Sequence, residues 1–99
     1  MNVKIQSIKF TADRKLLDFI DQKVNKLERY FDHIIDAEVF LRAGKPQEVN
    51  NKVVEIRLNV PGSDLFASKQ SKTFEEATDE CIAALKIQTK KHKEKLKGI

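Results

Sequence analysis

From Lys52 to Val60 the chain places Val54, Ile56, Leu58 and Val60 on one face and Glu55, Arg57 and Asn59 on the other. Strand side chains alternate with a period of two, so this segment reads as a β-strand buried on one side only. Such a strand requires partners in a sheet and an apolar layer over its buried face. The flanking sequence supplies the partners. Asn2 to Lys9 sets Val3 and Ile5 against Lys4 and Gln6, and Asp36 to Arg42 groups Ala37, Val39 and Leu41. A polar loop with Pro46 follows over 44–50. Pro61-Gly62 makes a turn, after which Leu65 to Ser71 reads as a fourth strand with Leu65 and Ala67 inward.

Two segments switch to the helical period. Leu16, Leu17, Ile20, Val24, Leu27 and Phe31 predict a helix over 12–31, with Thr11 as its cap and Asp13 in its first turn. Thr73, followed three residues later by Glu76, is a capping box that opens the last helix. Its apolar stripe runs through Phe74, Ala77, Cys81, Leu85, His92 and Leu96. The order is β-α-β-β-β-α. The expected architecture is α+β: a four-stranded sheet with two amphipathic helices on one face. The first crossover should be right-handed, with parallel pairing if its strands are neighbours, and the other strands form antiparallel hairpins.

Ninety-nine residues make one domain, spanning 1–99. Charged residues form 34% of it, above the usual value of about 25%, so the surface is strongly ionic. The net charge is only +4, because 15 acids offset 19 bases. Distribution therefore matters more than the total. A single cysteine, Cys81, excludes an internal disulfide. No signal-like apolar run follows Met1, which fits a cytoplasmic protein, and no stretch approaches the roughly 18 apolar residues of a membrane span.

The last helix begins acidic, with Glu75, Glu76, Asp79 and Glu80, and ends basic. Lys86, Lys90, Lys91, Lys93, Lys95 and Lys97 crowd its C-terminal half. Lys86, Lys90, Lys93 and Lys97 fall at i, i+4, i+7 and i+11, one stripe beside the apolar one. Complementing the helix macrodipole explains Lys95 and Lys97, since that effect is confined to the last turn. It does not explain Lys86. A row of point charges suits a polyanion backbone. On the first helix Lys15, Phe19, Lys23, Lys26 and Tyr30 form a second flank, where an aromatic between lysines can stack on a base or merely widen the core. Lys23 and Lys26 are expected in a groove between the helices; Arg29 is expected to point elsewhere, with the length to reach a phosphate.

No catalytic set assembles. His92 falls on the apolar side, His33 follows the helix end, and Cys81 lies at the centre of the apolar stripe. Two histidines and one cysteine far apart lack metal-ligand spacing. The early carboxylates suit a helix N-terminus, and the glycines form no phosphate loop. The chain is therefore expected to be no enzyme and to need no cofactor or small-molecule substrate. The outer sheet face, with Phe40, Val53, Arg57 and Phe66, is a second candidate surface, for a protein partner.

The element order resembles that of the bacterial ribosome hibernation-promoting factors. Lys26-Leu27-Glu28-Arg29-Tyr30-Phe31, Leu65-Phe66-Ala67-Ser68 and Lys91-His92-Lys93-Glu94-Lys95 carry the resemblance over essentially the whole chain. The family is also called ribosome-associated inhibitor or sigma-54 modulation protein. The resemblance implies a fold like that of double-stranded-RNA-binding domains. It also implies binding of the small ribosomal subunit and its 16S rRNA in the messenger and transfer RNA channel. Ribosome hibernation, with inhibition of translation by occlusion under stress, would follow. Ribosomal proteins are further expected contacts, and the factor is expected to be a monomer off the ribosome. The chain looks like the short form of the family. Ile87 departs from the pattern, standing where members often carry a basic side chain. The alternative is a protein-interaction regulator acting through the exposed sheet face, as the sigma-factor name implies.

Overall fold

A computed structural model describes residues 1–96. The elements are β1 (Asn2–Ser7), α1 (Arg14–Asn25) continued by a 3-10 turn (Lys26–Arg29), β2 (Asp36–Ala43), β3 (Lys52–Val60), β4 (Ser63–Ser71) and α2 (Phe74–Leu96). The sheet order is β1-β2-β3-β4. β1 runs parallel to β2, and the remaining pairs are antiparallel. The expected α+β architecture and its order of elements are those observed.

The register explains why one face is apolar throughout. Ala37 pairs with Leu58, Val39 with Ile56 and Leu41 with Val54. Ile56 then pairs with Ala67 and Leu58 with Leu65. A side-chain period of two carries every one of these to the same side, and a slip of one residue would expose them all. Ile20, Val24, Leu27 and Phe31 from the first helical segment and Ala77, Cys81, Ile82 and Leu85 from α2 complete the core. Gly62, at φ 75°, turns the β3–β4 hairpin in the left-handed region that glycine enters at no steric cost. Because Val60 pairs with Ser63, β4 begins two residues before Leu65.

Other boundaries also differ from expectation. The cap of α1 is Asp13, not Thr11: its carboxylate accepts from the Leu16 N–H at 2.8 Å. The preceding chain is still turning at Lys9, at φ 65°, which also ends β1 at Ser7. The last turn of the first helix tightens to 3-10 geometry, a common way to close helix ends. At the other helix Thr73 caps as expected, its hydroxyl oxygen accepting from the Glu76 N–H at 3.1 Å. Thr78 and Thr89 are fully buried, which the apolar stripe did not anticipate. Their hydroxyls donate within the helix, to the carbonyls of Phe74 at 2.7 Å and Lys86 at 2.9 Å, so neither is left unpaired.

Candidate nucleic-acid interface

The position of α2 decides what the lysines face. Its early turns are pinned through Cys81, whose buried thiol donates to the Val54 carbonyl at 3.3 Å. Burial pushes that thiol up to about 12, so it stays protonated and acts as a small core group rather than a nucleophile. Two turns further on, the Gln88 carboxamide bonds the free edge of β4. Its Oε1 accepts from the Phe66 N–H at 3.2 Å, and its Nε2 donates to the Phe66 carbonyl at 2.7 Å. The side chain thus takes the place of a strand residue on an exposed edge. It also sets the rotation of α2 about its axis.

With that rotation set, Lys86, Lys90 and Lys93 turn toward the end of the first helical segment. There, with Tyr30 and Ile87, they line an open depression of about 360 Å³. Lys86 Nζ lies 5.0 Å from the centroid of the Tyr30 ring. Such a contact at an exposed site contributes about 0.5–1 kcal/mol. All three lysines are exposed, and among the described residues none is held in an ion pair. Lys91 and Lys95 are also exposed, at positions that place them on the opposite flank of α2 from this row. Lys97 and the side chain of Leu96 lie outside the described residues.

The lysines of the first helix are distributed differently. Lys23 is half-buried and paired with Asp79 of α2 at 3.3 Å, with its ammonium 5.4 Å from the Phe19 ring centroid. It ties the two helices together, and its charge is partly spent there. Lys26 and Arg29 line a separate depression with Asp21, Gln22 and Asn25. Phe19 packs against the core, as the plainer reading of that flank has it. Tyr30 does not join the first-helix cluster: it is 49% exposed and belongs with α2. Tyr30, grouped with the first-helix lysines in the sequence reading, lines the Lys86 depression beside Ile87, which that reading marked only as a departure from the basic pattern. The available signal was Ile87 itself, an apolar side chain amid a basic row.

His92 is half-buried and stands edge-on to Phe31, centroids 5.5 Å apart. It packs on that ring with its Nε2 unpaired among the described residues. His33 lies in the loop after the 3-10 turn, edge-on to the same ring. Among the described residues no group of three or more His, Cys, Asp or Glu is placed to hold a metal, and no helix is long and apolar enough to cross a membrane.

Fold and surface together define a class: a small sheet-and-helix domain presenting an exposed lysine row on its last helix. The chain belongs to the Sigma 54 modulation protein / S30EA ribosomal protein family, whose model matches residues 3–97. It is similar to the ribosome hibernation promoting factor of Escherichia coli K12, with 32% identity over 98% of this chain and 96% of that protein. It is also similar to the ribosome hibernation promotion factor of Bacillus subtilis 168, with 31% identity over 97% of this chain. The chain spans about half the length of that relative, 50%. A ribosomal subunit interface protein from Coxiella burnetii has the same fold, with a TM-score of 0.84 at 19% identity over 94% of this chain and 98% of that one.

Proposed function

We propose that this chain is a ribosome hibernation factor that binds the small subunit through 16S rRNA and silences it by filling the messenger and transfer RNA channel. The observation that carries the reading is the row of exposed Lys86, Lys90 and Lys93, free of intramolecular ion pairs among the described residues. Solvated ammonium groups in a row match a phosphate backbone and carry no bidentate readout of bases, so recognition rests on the shape of the RNA. The names of the relatives support a ribosomal partner.

Co-sedimentation with isolated small subunits tests the electrostatic half of this reading. If four to six lysines neutralise phosphates, log affinity falls against log salt with a slope of roughly −3 to −5. A flat salt dependence would remove the phosphate row, and binding through the sheet face would then be the better account.

Competition tests the occlusion half. Initiator transfer RNA with messenger is expected to displace the protein from small subunits. Inhibition of initiation is expected to be stoichiometric with ribosomes and reversible. Simultaneous binding without mutual effect would place the protein elsewhere on the subunit, and one molecule inactivating many ribosomes would mean catalysis.

A further inference from the structure

The depression beside α2 has an apolar floor as well as a cationic rim. Ile87 is 59% exposed and Tyr30 49% exposed, and the two line one hollow. A row of phosphate contacts needs only charge, and it leaves both side chains unexplained. The hollow, at about 360 Å³, falls within the range of about 300–1,000 Å³ usual for small-molecule sites.

Resting on the RNA-binding reading above, we propose that this hollow is a subsite for one unpaired base of single-stranded RNA. The base lies against Tyr30 and Ile87, and its flanking phosphates meet Lys90 and Lys93. Charge complementarity selects this occupant. An apolar peptide side chain would cover the floor but bring no counter-charge to Lys86, Lys90 and Lys93. A nucleotide brings a flat apolar face and an anion at once.

Lys86 has a specific part in this arrangement. Its ammonium sits over the Tyr30 ring at 5.0 Å. Base stacking on an aromatic ring is stronger than an exposed cation–π contact, so an arriving base displaces the ammonium. The flexible lysine stem then lets the charge swing to a neighbouring phosphate. Lys86 is a removable cover for the ring.

Tyr30 is the only tyrosine and the chain has no tryptophan, so intrinsic emission reports on this hollow alone. The full chain is titrated with a short single-stranded oligoribonucleotide and with an abasic oligomer of equal length and charge. The base-containing strand is expected to quench Tyr30 emission saturably and to bind about tenfold tighter than the abasic one. Ile87→Ser alters an exposed side chain and spares the fold; it is expected to narrow that gap without changing the salt slope. Equal affinity for the two oligomers, without base-dependent quenching, overturns the subsite while leaving the phosphate row and the ribosomal reading intact. Binding of neither oligomer at low salt, with no association with small subunits, overturns the subsite and the RNA reading together.

Discussion

Replacing Lys86, Lys90 and Lys93 together with glutamate is expected to abolish association with small ribosomal subunits and to leave folding nearly unchanged. The three ammonium groups line one hollow, are exposed and lie off the apolar face, so the substitutions reverse charge where RNA would approach and cost the fold little beyond the exposed Lys86–Tyr30 contact. Each single substitution is expected to reduce the magnitude of the salt slope by about 1, and the triple variant fails to bind at any practical salt concentration. The matched control reverses the other end of the same helix. Glu75→Lys with Glu76→Lys is expected to retain ribosome association and to lower the melting temperature, because acids in the first turn contribute about 0.3–1 kcal/mol each through the macrodipole. Co-sedimentation and thermal melts by circular dichroism on the wild type, the triple variant and the Glu75/Glu76 variant decide the matter. Equal loss of binding from both changes would mean that the two ends of α2 are not functionally distinct.

Truncating Phe31 to alanine is expected to produce the largest loss of stability at any single position at the joint between the helices. Phe31 is 2% exposed, and His92 of α2 and His33 of the following loop both stand edge-on to its ring with centroids 5.5 Å away. The 3-10 turn delivers this ring to the core, with its N–H donating to the Leu27 carbonyl at 3.1 Å. Removing a buried phenyl group costs about 3–5 kcal/mol, a large part of the roughly 5–15 kcal/mol that stabilises a typical domain. The expected drop in melting temperature is well over about 10 °C. Phe66→Ala, on the uncovered face and 45% exposed, is expected to change stability by no more than about 0.5 kcal/mol. A melt showing similar effects for both would mean that Phe31 does not join the basic half of α2 to the core.

Much of the fold was legible because each element carries its own period. β3 occupies the residues its alternation marked, Lys52–Val60, since a strand buried on one face leaves that pattern unavoidably. The start of α2 followed from Thr73 and Glu76 because a cap is a local hydrogen bond between residues three apart. Errors fell where a boundary depends on the path of the chain. Thr11 and Asp13 are both competent caps by residue type, and the turn at Lys9 is what leaves Asp13 in position. Thr78 and Thr89 looked polar in isolation, and only the helix geometry supplies carbonyls that let them enter the core.

The candidate interface divides along the same line. Helical periodicity alone determined that Lys86, Lys90 and Lys93 share a flank of α2, because spacing of three and four residues places side chains one above another. What that flank faces depends on contacts between residues far apart in sequence. Gln88 holds α2 on the edge of β4, 22 positions away, and Lys23 bridges to Asp79 across the helix pair. Those contacts bring Tyr30 beneath Lys86, leave Ile87 exposed beside it, and send Lys26 and Arg29 to a different hollow. A period is written in neighbouring residues and can be read there. The meeting of two faces is set by packing over the shared core, and no local pattern encodes it.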